Sequence, residues 1–340
     1  MFEKTFDTKF FKIVFPFILV VIFILFLPWV ITTNSWFGLE FKDTGAIGDT
    51  LGGILGPFIA IVAAFLTFLA FWVQYKANEQ LRNDIRIDRL EKKIYEMLNL
   101  HRQNVNELRL KSFSSEIITG RNIFPHIFNE LKRTYDKLEK FLGQRTEGET
   151  MSKKTLLEIC YIIFYIGIKK ENQEYLYKVL LEWFDKETVE VLISLFDDQQ
   201  DQDYIVINSG ERRSDHFKEK FYYTHFDGHF TLLSHYYRHL VQIIKYIDEL
   251  PEKLLNEEQK YSYMKLIRAQ LSSYEQLLFY YGSLSPFGKG WNTKKYLTIY
   301  RLIKNMPLPL ANFGVLPEEL FAAEIKELKA CGIDLFDWNK

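Results

Sequence analysis

The chain has 340 residues, 43 of them basic and 44 acidic, for a formal net charge of -1. That balance excludes a global electrostatic pull toward nucleic acid or anionic lipid. The two cysteines, Cys160 and Cys331, match no metal-finger or redox spacing, which argues against a disulfide framework and for a reducing compartment around the soluble part.

Residues 1–12 carry Lys4, Lys9 and Lys12, and residues 13–33 then contain no ionisable group. Such a run is long enough to cross a bilayer, which needs ~20 apolar residues. A cleaved signal peptide is the rival reading. The run exceeds the ~7–15 residues of a signal core, and no small-x-small cleavage site follows closely. Residues 34–49 read as a short loop, and residues 50–74 form a second charge-free run. Trp29, Trp36 and Trp72 fall near the expected interfaces. The loop has only Lys42, whereas Lys76, Arg82, Arg86, Arg89, Lys92 and Lys93 follow the second run. The excess of basic residues predicts both ends inside and the loop outside, a two-pass hairpin with its large domain in the cytoplasm.

Gly48, Gly52, Gly56, Ala60 and Ala64 recur every four residues, so they share one face of the second helix. Small-xxx-small faces let helices approach closely. Either the bulky first helix fills this groove within the hairpin, or the groove pairs between subunits and builds an oligomer or pore. Pro57 should leave one backbone carbonyl free. Asp49, an acid at the membrane edge, is a functional candidate by its position. The plainer reading puts it among headgroups or at the helix cap.

Residues 75–111 predict a long polar helix. Ile87, Leu90, Ile94, Met97, His101 and Leu108 fall on a heptad-like seam, which suits a dimeric stalk or the first helix of a bundle. Residues 112–340 predict an all-α domain, giving a mainly α fold. Helices are expected over 122–141, from a capping pattern at Thr155 to Glu158, over 174–184, 186–196, 229–249 and 257–281, and from Pro317 to Gly332. Residues 143–154 read as a linker. The apolar stretch 159–168 is too short to span and reads as a buried core helix. Residues 197–215 read as a loop or short hairpin.

Five histidines cluster at His216, His225, His229, His235 and His239. His235 and His239 could hold a metal from one helix face, but no acid completes an HExxH motif. Interior hydrogen bonding is the plainer account, and no cofactor is expected. Arg121 and His126 form an R-x4-H pattern that resembles the active motif of HEPN ribonucleases, where His acts as acid or base and Arg clamps the phosphate. No Walker A, GxGxxG, GxSxG or kinase pattern is present, and Gly288-Lys289-Gly290-Trp291 is too short to be specific. Catalysis therefore has no strong candidate in the chain.

Several segments together resemble a known family. They are Gly48-Asp49, Gly52-Gly53 and Pro57; residues 95–101 with Val105; residues 236–248; and residues 267–275 with Tyr280-Tyr281-Gly282. In this order, over roughly residues 44–285, the chain is similar to the phage abortive infection (AbiC-like) membrane proteins of bacteria, although Tyr281 stands where that family usually has Asn. The resemblance implies anti-phage defence at the bacterial inner membrane. It implies an effector that damages the membrane when its cytoplasmic domain senses infection. The partners would be the lipid bilayer, further copies of the chain, and a phage-derived trigger or a co-encoded defence protein. A membrane-tethered ribonuclease and a non-catalytic scaffold for defence partners are the alternatives.

Arg238 and Arg268 sit in aromatic and apolar helix contexts, where arginine is normally paired or reaching a ligand. One reading joins Tyr237, Arg238, His239, Arg268, Gln270, Tyr274 and Glu275 in a buried polar network between two long helices. The other makes them a pocket for an anionic phage-derived or nucleotide signal.

Overall fold

The computed structural model of the chain describes residues 15–26, 29, 44–111, 117–145, 151–209, 223, 225–288 and 295–337. These residues are mainly helical and divide into two compact units, Met1–Arg89 and Leu90–Lys340. The basic N-terminal segment 1–12, most of the loop 34–49 with Trp36 and Lys42, and His216 lie outside the described residues.

In the first unit, α1 (Phe15–Phe26) is a short apolar helix, and α2 (Thr44–Glu107) starts ahead of the expected boundary at 50. Among the described residues α2 is long and apolar enough to cross a membrane by length and composition, and none of its most apolar stretch is buried. Phe58, Ile61, Phe68 and Phe71 are all exposed. Phe17 of α1 stacks on Phe65 of α2 with ring centroids 5.2 Å apart. Asp49 is already inside α2 and exposed, so it does not act as the N-cap.

The second unit begins on α2. Leu90, Ile94, Leu98, His101 and Val105 are buried at steps of three and four, so this part of the seam serves as a core-packed bundle helix. A two-stranded hairpin follows, with β1 (Arg109–Lys111) antiparallel to β2 (Ile117–Thr119) in the register Leu110↔Ile118. At three residues each, the strands are too short to show in a hydrophobic pattern. The remaining helices are α3 (Ile123–Arg145), α4 (Lys153–Ile166), α5 (Lys170–Leu180), α6 (Lys186–Ser209), α7 (Phe230–Asp248), α8 (Glu257–Gln270), α9 (Ser273–Leu284), α10 (Pro317–Leu320) and α11 (Ala322–Ala330). α3 packs on α4 and α9, α4 on α9, and α7 on α8. α4 is apolar all round, and Ile159 through Ile166 are buried, as suits a central helix. Cys160 on α4 is buried, and its thiol donates to the Leu131 carbonyl at 3.5 Å; Cys331 is exposed.

Several boundaries differ from expectation for identifiable reasons. Ser152 caps α4 by accepting from the Thr155 N–H at 3.1 Å, so Thr155 lies inside the helix and does not open it. The expected linker 143–154 is partly helix: α3 runs to Arg145 and α4 starts at Lys153. Residues 197–209 are helix and not loop, because nothing between Asp197 and Ser209 is Gly or Pro and glutamines propagate a helix well. The single helix expected over 257–281 is two. Ser272 caps α9 through a reciprocal box with Glu275, and Leu271 is extended between α8 and α9. The helix from Pro317 likewise breaks at Phe321, whose ring is buried.

α4 and α7 meet through their backbones. Gly167, at φ +80°, ends α4, and Gly228, at φ +89°, precedes α7. A Cβ on Gly228 would lie 2.1 Å from the Ile166 carbonyl oxygen, and one on Gly167 would lie 2.2 Å from the Asp227 carbonyl carbon. The crossing is tied by Ile168 N–H to Phe226 O at 2.8 Å and by His229 N–H to Tyr165 O at 3.0 Å. Gly228→Ala adds a left-handed backbone penalty to a backbone clash, each of roughly 1–3 kcal/mol. It is expected to destabilise the full-length protein by about 3 kcal/mol, read as a lower urea midpoint in detergent. A neutral substitution would refute the crossing.

Candidate functional site

Two buried carboxylates organise the polar interior of the second unit. Glu130 is fully buried on the apolar stripe of α3, between Ile127 and Leu131. Its Oε2 accepts from the Tyr223 hydroxyl at 2.6 Å and lies 3.0 Å from His229 Nε2, while its Oε1 accepts from the Phe226 N–H at 2.8 Å. Burial alone would raise the Glu130 carboxyl. The close His229 ring, with the hydrogen bonds from the Tyr223 hydroxyl and the Phe226 N–H, outweighs it and holds the group below the usual carboxylate range. Phe226 adopts φ +61°, a costly conformation for an aromatic residue, and its N–H bond to Glu130 helps to enforce it.

Glu275 is the second, also fully buried. Its Oε1 accepts from the Tyr236 hydroxyl at 3.0 Å, and its Oε2 from the Ser272 N–H at 2.7 Å. Arg121 Nε lies 3.4 Å from Glu275 Oε2, and its terminal nitrogen donates to the Gln270 carbonyl. One carboxylate thus caps α9, holds α7 and anchors the segment before α3.

His101 of α2 adjoins this group. Its ring is 5.1 Å from that of Tyr236 and stacks nearly parallel on His239 at 5.9 Å. Neither ring nitrogen of His101 has a hydrogen-bond partner among the described residues. Burial, then His239 and Arg121, brings its pKa down to about 4. Burial, then His235, also lowers the His239 pKa.

The remaining expected residues are dispersed. Arg268 donates to the Arg301 carbonyl at 3.1 Å, and Tyr274 meets Phe128 edge-on at 5.7 Å. Tyr237 and Arg238 lie by a cleft that the Glu275 group does not line. Tyr281 is buried, stacks on Phe313 at 4.3 Å and donates to the Phe313 carbonyl at 3.2 Å. Arg121 and His126 have separate partners: Arg121 serves Glu275, while the His126 ring lies 6.3 Å from Tyr223 beside the Glu130 group. An arginine already engaged by a buried carboxylate is poorly placed to clamp a phosphate. His235 is exposed, and no group of three or more His, Cys, Asp or Glu among the described residues could hold a metal ion. In the first unit, a Cβ on Gly48, Gly52, Gly53 or Gly56 would meet nothing within 4 Å among the described residues, so none of these covers the glycine end of the small-residue face.

Sequence reasoning missed Glu130, Tyr223 and the pairing of Arg121 with Glu275. An acid interrupting the apolar stripe Ile127, Leu131, Leu138 was the available signal for Glu130. The pairing of Arg121 with Glu275 joins residues far apart in sequence and left none.

A family model described as "Putative phage abortive infection protein" matches residues 228–310. The match takes in α7, α8 and α9, and so Tyr236, His239, Gln270 and Glu275, while α2 and Arg121 lie outside it. It supports a phage abortive-infection family. No curated protein and no solved structure matches the chain.

The two centres titrate in different windows. His101 is neutral when folded above about pH 4, whereas the unfolded chain takes up the proton near pH 6.5. Stability therefore rises with pH between about 4 and 6.5, by up to ~3 kcal/mol. His101→Phe, which keeps the ring, is expected to flatten that rise in urea titrations at successive pH values. Glu130 has a depressed folded pKa, so its contribution is present above pH 4.5 and is lost as pH falls through the folded value. Glu130→Gln is expected to cost about 3 kcal/mol at pH 7 and to abolish this acid limb.

Proposed function

We propose that the chain is an anti-phage defence effector of the bacterial inner membrane. Residues 13–33 and 50–74 form its two-pass hairpin, both ends face the cytoplasm, and the helical unit detects infection or a partner. The family match supports the defence role. The observation that carries the membrane part is the apolar stretch of α2, none of which is buried. Water-exposed apolar surface on this scale is costly, and lipid is the solvent that removes the cost. The glycine face of α2, which no described residue covers, supports self-association in the bilayer, since such a close-approach face can receive a second copy.

Arrest or death of the infected cell then follows when the unit formed by residues 90–340 responds to its trigger and copies of α2 assemble to breach the membrane. Gly52→Leu together with Gly56→Leu places two large side chains on that face, where the described residues offer no clash. In phage-challenged cells carrying a voltage-sensitive dye, the native protein is expected to depolarise the membrane early and protect the culture. The double variant is expected to do neither. A steady membrane potential during successful protection would refute the effector reading.

A further inference from the structure

A cleft of about 770 Å³ opens in the second unit between α4, α7 and the segment after α9. Its volume falls within the ~300–1,000 Å³ of small-ligand sites. One wall is the exposed face of α7, where Arg238, Gln242, Lys245 and Glu249 follow at steps of four, three and four. Arg238 and Lys245 have no acidic partner within salt-bridge distance among the described residues. Seven residues of helix separate them, which is about 10 Å along the axis.

The lining is also aromatic. Tyr165 of α4 lies 4.6 Å from the Phe287 ring and 5.5 Å from the Phe230 ring, the latter nearly perpendicular. Phe230 is 55% and Phe287 38% exposed, so both present ring surface to the cleft mouth. Arg238 is close enough to Tyr165 to affect its hydroxyl. Tyr237 and Tyr161, both buried, form the floor.

Unpaired cations alone describe a solvated helix face, and exposed aromatics alone describe a sticky patch. Here both line one concavity. We infer that this cleft binds a nucleotide, its phosphate on Arg238 and Lys245 and its base against Phe230 and Phe287, whose rings are backed by the buried Tyr165. Arginine offers a planar fork that matches phosphate geometry, and lysine adds a second point of charge. Aromatic faces stack any base, and the Gln242 amide can bond its edge. Glu249, one turn beyond Lys245, can accept from a ribose hydroxyl. The inference rests on the second unit alone and goes beyond the membrane reading, so it stands or falls independently of it.

The test is equilibrium binding to the full-length protein in detergent, followed by tyrosine fluorescence and calorimetry. The probes are the four ribonucleoside triphosphates, with inorganic triphosphate and adenosine as half-ligands. At least one nucleotide is expected to bind saturably, at least tenfold more tightly than either half-ligand. Arg238→Ala is expected to weaken binding tenfold or more and Lys245→Ala severalfold, while Lys265→Ala, a cation outside the cleft, leaves it unchanged. All three side chains are exposed, so circular dichroism should show native helicity in each variant. Phe287→Leu is expected to lower nucleotide affinity but not that for inorganic triphosphate. Four outcomes would overturn the inference: no saturable binding, binding indifferent to Arg238 and Lys245, inorganic triphosphate binding as tightly as any nucleotide, or binding of a single-stranded oligonucleotide in place of every mononucleotide.

Discussion

Where α4 ends and α7 begins, two stretches of main chain touch with no side chain between them, and much of the second unit follows from that contact. Gly167 and Gly228 are the residues that allow it, since either Cβ would fall inside the opposite backbone. The approach fixes the entry of α7 against the buried helix α4. His229 is then delivered to Glu130, and Phe226 is held in a left-handed turn with its N–H on the same carboxylate. It also sets the rotation of α7. Tyr236 and His239 turn toward His101, while Tyr237 and Arg238 turn toward the cleft beside α4.

The two interior carboxylates do related work at different places. Each gathers groups from segments distant in sequence: Glu130 binds Tyr223 and Phe226, and Glu275 binds Tyr236 and adjoins Arg121. A hydrogen bond to a charged group contributes about 1.5–3 kcal/mol, more than a neutral pair, and a buried carboxylate with a partner missing is strongly destabilising. Such groups therefore specify which segments meet, beyond the stability that they add. They also leave little chemistry to do, because their oxygens are occupied and shielded. That is why the open, unsatisfied cations of α7 carry the stronger argument for a ligand.

Much of the helical architecture was legible from periodicity. The apolar character of α2, the burial of α4 and the extents of α7 and α8 near their starts all follow from hydrophobic spacing and capping residues. The break between α8 and α9 was also legible, since Ser272 and Glu275 have the spacing of a capping box, yet the continuous apolar pattern across it masked the signal. The extension of α6 through its acidic stretch was less legible, because a polar run reads as a loop even where, as here, no residue breaks a helix. The site was less legible. Glu275 and Gln270 stood out as polar residues in an apolar block, but their partner Arg121 lies about 150 positions away, where sequence spacing carries no information on contact. The resemblance extended over a longer span than residues 228–310, where the family model matches.

The placement of the two cysteines makes the native chain its own reporter. Cys331 is open to solvent, whereas Cys160 is sealed in α4 with its thiol pushed up by burial. A thiol reagent should consume one equivalent at once and the second only as often as the bundle around α4 opens. The slow phase of that reaction measures local opening of the helical unit inside a membrane extract, without engineered labels and without unfolding the protein.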